Sequence, residues 1–194
     1  MAVLPLVIEP DPLLHEVSVP VDNVTPDIKS FAKDMLDTMY ANHGIGLAAV
    51  QVGVLKRIIV VDIDWPSPRY EDEGGEPEEA TPNPIVMINP EITRKSTQMK
   101  PYKEGCLSFP DQYSDVERPA EVTISYTDLD GKAQTLEADD LLAVCVQHEI
   151  DHINGIVFTD HISKLKREMI VKKLVKMKKL GTLPAVEQKE AAPR

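Results

Sequence analysis

At 194 residues the chain has the length of about one domain, enough to bury roughly two thirds of its unfolded surface without help from a disulfide or metal. Its 42% apolar and 27% charged residues exclude a collagen-like or wholly disordered chain, and no apolar run reaches the ~18–20 residues of a membrane span. The net charge of −11 argues against DNA binding, but it hides an asymmetry: residues 164–180 hold eight Lys or Arg against one Glu, a net +7, which leaves −18 on the other 177 residues.

The opening Met1–Pro12 lacks basic residues and is broken by prolines, so it reads neither as a secretory signal nor as a transit peptide. With two cysteines, Cys106 and Cys145, there is no disulfide framework, and a reducing cytoplasm is the expected compartment. Residues 5–22 carry four prolines and read as an extended arm. Thr25-Pro26 looks like an N-cap followed by proline at the first helical position, and Ile28, Phe31, Ala32, Met35, Leu36 and Met39 repeat at helical spacing. A helix is predicted over 26–41, stopped by Gly44.

Arg57–Ile63 and Ile85–Asn89 are short β-branched runs that read as buried strands. Between them, 64–84 holds five prolines, two glycines and the acidic stretch Glu71–Glu79, the composition of an exposed insertion. Val122, Ile124 and Tyr126 alternate up to Asp130-Gly131, and Ala133–Glu137 returns, which predicts a hairpin. Ala138–Ile153 is apolar on every side and reads as a helix inside the core. The basic segment 164–180 reads as a last helix, with Leu165, Met169, Leu174 and Met177 roughly on one face. Gly181 ends it, and 181–194 reads as a tail. Strands followed by a central helix, without regular βαβ alternation, give an α+β class built as one domain over 1–180.

The strongest chemical signal is His148-Glu149-Ile150-Asp151-His152. Four residues apart on a helix, His148 and His152 share a face and can aim two imidazoles at one metal ion. Glu149 is poorly placed as a third ligand and well placed to take a proton from a water at that ion. Two satisfied core histidines would be the plain alternative, but buried imidazoles need partners. The third ligand must come from elsewhere. Cys106, in Glu104-Gly105-Cys106-Leu107-Ser108, is the better candidate; Cys145 lies at i−3 from His148 but inside an apolar run, where a free cysteine is ordinarily core. Three ligands would leave a catalytic position open, and four would make a structural site. The small-residue segment Gly44–Gly53 lacks the spacing of a phosphate loop, and its Gln51 offers an amide that could face an oxyanion.

GIGLAAVQ (Gly44–Gln51), EGCLS (Glu104–Ser108) and QHEIDH (Gln147–His152) resemble, in order and separation, the three signature motifs of peptide deformylases. The likeness extends over about residues 5–180, including EPDPLLHEVSVPV, INPEI and the run from Asp128 to Ser163. The resemblance implies that Cys106, His148 and His152 hold one divalent metal, characteristically Fe²⁺, with Zn²⁺, Ni²⁺ or Co²⁺ also accommodated. It implies Glu149 as general base and then acid, and Gln51 with the Leu107 N–H as oxyanion donors. Gly44, Ile45, Gly46, Glu104 and Gly105 would contact an extended peptide, and Ile45, Val144 and Cys145 would wall a pocket for methionine. The implied reaction removes the formyl group from the initiator methionine of new polypeptides, releasing formate. Two departures bear on peptide recognition: the longer acidic insertion 64–84, and Tyr113 where some members carry an arginine, with Arg118 kept nearby. A zinc endopeptidase shares H-E-x-x-H but ordinarily takes its third ligand downstream. A non-catalytic ribosome-associated module would need a fourth ligand such as Cys145. The basic helix 164–180 resembles, in position and charge, a ribosome-contacting helix of some members; a monomer without membrane contact is expected.

Overall fold

A computed structural model describes residues 2–65 and 81–183. Most of the predicted insertion and the tail from residue 184 therefore lie outside the described residues. Helix α1 spans Pro26–Ala41, with the Thr25 hydroxyl accepting from the Ile28 N–H and proline in the first turn, as the cap pattern predicts.

Five strands form an antiparallel sheet in the order β1 (Gly46–Ala48), β2 (Ile58–Val61), β3 (Ile85–Lys95), β6 (Glu121–Thr127) and β7 (Ala133–Asp139). Strands β4 (Met99–Cys106) and β5 (Phe109–Pro119) form a separate two-stranded hairpin. Helix α2 (Asp140–Ile153) follows β7, and helix α3 (Lys164–Leu180) closes the described chain after a 3-10 turn at Phe158–His161. The α+β class is as expected, with every strand ladder antiparallel.

The sheet separates two cores, and β2 shows why its sequence is unbroken Ile-Ile-Val-Val. Ile59 and Val61 pack with Val146, Ile150 and Ile153 of α2, whereas Ile58 and Val60 pack with Ile28, Met35 and Met39 of α1. All four residues of β2 are buried, so neither face can be polar. Burying each such side chain contributes roughly 1.5–3 kcal/mol before entropy is counted.

A third core lies under the hairpin, where Cys106, Phe109 and Val116 meet Val157, Phe158 and Leu174. The N-terminal arm stitches these parts together. Val7 N–H donates to Gln51 O (2.8 Å), Glu9 N–H to Ser108 O (3.1 Å) and Ser18 N–H to Ile153 O (2.9 Å). The arm is not extended throughout as predicted, since a 3-10 turn at Pro12–His15 interrupts it, and it bonds to the last residues of the first two motifs and to the residue after the third.

Several boundaries differ from the expectations above. Ala138 and Asp139 belong to β7, so α2 begins two residues later than predicted. The strand predicted from Ile85 continues to Lys95, past a register shift after Ile88. On α3, Leu165 and Met169 are exposed (70% and 64%), and the packed stripe is instead Ile170, Leu174 and Met177. Of the expected tail, Leu183 is partly buried against the same core.

Candidate metal centre and active site

Helix α2 is wedged between the sheet and the hairpin, so its histidines are buried although they are polar. His148 is 7% exposed and His152 fully buried. The turn joining β4 to β5 brings Cys106 against them, with its Sγ 3.2 Å from His152 Nε2. One ligand atom from each of Cys106, His148 and His152 lies within 4.8 Å of the others. A thiolate and two imidazoles converging in a buried corner fit one divalent transition metal. Cys145 does not join them: its thiol donates to Ile45 O at 3.4 Å, and burial pushes it well above its ordinary pKa. The structure thus selects Cys106 over Cys145 as the sulfur beside the histidines.

The other nitrogen of His148 has a fixed partner. His148 Nδ1 lies 2.8 Å from Glu104 Oε2, which leaves Nε2 for a ligand role. Glu104 in turn receives the Arg118 guanidinium through Nε and, at 3.0 Å, through Nη2. Arg118 also donates to Asp151 Oδ2 at 2.7 Å, and the same oxygen meets His161 Nε2 at 2.7 Å. Burial favours the neutral carboxyl of Glu104, but the contacts with His148 and Arg118 outweigh it and hold the group below its usual range. Glu104 therefore lines the cleft with its carboxylate already engaged.

Glu149 is buried beside this cluster, and its Oε2 has no hydrogen-bond partner. Burial pushes its carboxyl up to about 7, with Glu104 and Asp151 adding to the shift and His148 and Arg118 opposing it. Its position depends on Gly46, because a Cβ there would sit 2.5 Å from Glu149 Oε1 and 2.8 Å from Cys145 Sγ. Gln51 is equally buried. Its Oε1 accepts from Ala48 N–H (2.7 Å), which turns the amide NH₂ toward Cys106 Sγ (3.4 Å) and Ser108 Oγ (3.3 Å).

These groups border one narrow cleft. Gly44, Ile45, Gly46, Gln51, Glu104, Gly105, Cys106, Leu107, Val144, Cys145, His148 and Glu149 all line it, so the three motifs share one cavity. His152 is fully buried and does not line the cleft. Tyr102 and Leu141 also line the cleft and had no sequence signal. Tyr113 lies directly opposite Gly105 in the hairpin, its ring so close that a Cβ on Gly105 would meet it at 2.5 Å. The ring carries Lys103 Nζ 5.5 Å from its centroid.

The sequence profile of the family Polypeptide deformylase matches residues 3–168. A peptide deformylase of Rhizobium meliloti is 50% identical over 186 residues, covering 96% of this chain and all of that one. One from Agrobacterium fabrum is 51% identical, covering 91% and 96% of the two chains. Among solved structures, peptide deformylase from Ehrlichia chaffeensis superposes with a TM-score of 0.83 at 40% identity, covering 94% of this chain and 100% of that chain. The same organism's enzyme in complex with actinonin gives 0.81 at 42% identity, covering 91% and 98%. The chain belongs to the polypeptide deformylase family.

Proposed function

We propose the following division of labour for this enzyme, a hydrolase that removes the N-formyl group from newly made polypeptides. Cys106, His148 and His152 would hold the divalent metal, Fe²⁺ in the first place, with Zn²⁺, Ni²⁺ or Co²⁺ as substitutes. When bound there, such an ion supplies Lewis-acid stabilisation and lowers the pKa of water. Glu149 takes the proton of the attacking water on its unpartnered oxygen, and a carboxyl near 7 suits that task at neutral pH. As the oxygen adds to the formyl carbon, charge grows on the carbonyl oxygen. The Gln51 amide and the Leu107 N–H are the donors proposed to meet it, the former already oriented by Ala48. Glu149 then delivers its proton to the amine nitrogen, the C–N bond breaks and formate leaves.

The peptide would run extended along β1, which is an edge strand of the sheet and presents Gly46 to the cleft. Ile45, Val144 and Cys145, joined by Leu141, would take the methionine side chain. A formyl group carries only hydrogen beyond its carbonyl, so a closed end of the cleft can exclude acetyl by size. No described helix is long and apolar enough to cross a membrane. We place the enzyme in the cytoplasm as a monomer, where the lysine-rich α3 would touch ribosomal RNA.

The observation that carries this reading is the convergence of Cys106, His148 and His152 beside the free Glu149 oxygen. Formyl-Met-Ala-Ser should release formate, acetyl-Met-Ala-Ser should remain intact, and internal peptide bonds should not be cut. Cleavage of the internal bonds or of the acetyl peptide at a comparable rate would overturn it. Metal analysis of anaerobically purified protein tests the preference for iron.

A further inference from the structure

The polar chain that starts at His148 does not end at Arg118. It continues through Asp151 Oδ2, which accepts from Arg118 Nη1 and faces His161 Nε2, both at 2.7 Å. Arg118 is 4% exposed, and a buried guanidinium keeps its orientation only while its partners hold it. Glu104 holds one side of Arg118 and Asp151 the other. His161 sits on the 3-10 turn Phe158–His161, whose first residue stacks its ring on His148 with centroids 6.3 Å apart and planes 22° apart. One short turn therefore meets the metal ligand twice: directly through Phe158, and through His161, Asp151, Arg118 and Glu104.

We infer that His161 and Asp151 are positioning residues for the metal site, fixing Arg118 and through it the Glu104 carboxylate that orients His148. Neither touches the cleft, and neither is a ligand. A metal-binding imidazole is held by what its other nitrogen meets, and loss of such outer partners weakens metal binding. In this chain that support reaches the surface, because His161 is partly exposed while every other group in the chain is buried or largely so. The turn is itself pinned: Asp160 Oδ2 accepts from Val157 N–H at 2.9 Å, and Arg167 of α3 pairs with the other Asp160 oxygen. The His161 side chain is thus presented to Asp151 by a rigid element.

The inference rests on Cys106, His148 and His152 being the metal ligands, so its test begins with the cobalt-loaded wild-type chain. Absence of a cobalt visible spectrum in the wild type would sink the ligand assignment itself. With that spectrum in hand, His161→Ala should shift the cobalt bands and speed metal release to a chelator about tenfold, at the low end for loss of an outer partner. His161→Gln, which can still donate to Asp151, should restore release to within about twofold of the wild type. If His161→Ala does not fold, Asp151→Asn carries the same comparison, since it keeps the shape and removes the charge facing Arg118. Unchanged bands and release in the folded variant, a drop in melting temperature alone, or a glutamine variant no better than alanine would each overturn the proposal.

Discussion

Helices α2 and α3 are of similar length, 14 and 17 residues, and solve opposite problems. Nine residues of α2 are buried, among them Gln147, His148, Glu149 and His152, whereas α3 buries only Leu174. The difference lies in the neighbours. Helix α2 packs against β1 and β2 on one side and meets the hairpin's Cys106 and Glu104 on the other, so its polar groups are withdrawn from bulk water, His148 against Glu104 and Glu149 with one oxygen unpartnered. Helix α3 leans on the hairpin by one stripe and leaves its lysines in solvent. A buried helix can therefore set pKa values and hold a metal, while an exposed one can only present charge.

Glu149 gives the sharpest way to break that contrast. It is the α2 side chain with an unpartnered oxygen, and it is not among the three side chains that converge at the candidate metal site. Glu149→Gln should keep the bound metal and lower kcat by ~10²–10⁴-fold or more, the usual scale of general acid–base help. Steady-state formate release and metal content on the same sample check this. Loss of the metal with activity restored by adding it back would make Glu149 a ligand.

Next in size is the separation of the two cysteines. Cys106→Ser exchanges a soft thiolate for a hard hydroxyl and should abolish both stable metal binding and turnover. Cys145→Ser should retain the metal, because its sulfur hydrogen-bonds to Ile45 O and is not part of the converging group, and should mainly alter the cleft wall. Equal metal loss in both would indicate that the buried corner uses four protein ligands.

The same contrast explains how much could be read from the residues. Helix α1 announced itself through Thr25-Pro26 and a clean helical period, and β2 through four consecutive β-branched residues. The candidate site was legible because its chemistry is local: His148, Glu149 and His152 lie within five residues, and the Cys106 and Gln51 segments carry motifs of their own. The β4–β5 hairpin was not legible. Its inward positions include Glu104, Gln112 and Arg118, so the polar residues are the buried ones and the usual apolar alternation is absent. Arg118 had no visible role for the same reason, since its partners Glu104 and Asp151 lie 14 and 33 residues away. The apolar face of α3 was misplaced because the expected set does not share one stripe: at about 100° per residue Leu165 points about 180° away from Leu174 and stays in solvent, whereas Ile170, Leu174 and Met177 fall together.

That misplacement yields a stability comparison within one helix. Leu174 is fully buried in the core that also holds Cys106, Phe109 and Phe158. Leu174→Ala should cost about 2–5 kcal/mol, the range for a leucine cavity. Leu165→Ala, at a residue 70% exposed, should stay within about 0.5 kcal/mol. Urea unfolding of the two variants side by side measures both. Similar losses would mean that α3 also packs by the face that carries Leu165.

The smallest expected effect concerns what α3 does with its charge, and Leu174 dictates how that must be tested. Deleting the helix would uncover the core beneath the hairpin, and any loss of ribosome binding would then be inseparable from unfolding. Neutralising Lys173, Lys176 and Lys179 to glutamine leaves the packed stripe Ile170, Leu174 and Met177 intact, and all three lysines are exposed. If these side chains meet RNA phosphates, each releases counterions on binding. The triple variant should then flatten the log–log salt dependence of ribosome co-sedimentation, by up to about one unit for each phosphate that a lysine no longer neutralises. Turnover of a small formyl peptide should not change, because the lysines line no part of the cleft. The acidic remainder of the molecule would sharpen the effect, since it repels RNA and leaves α3 as the approachable face. An unchanged salt slope with the variant fully folded would reduce α3 to a solvated helix that caps the third core.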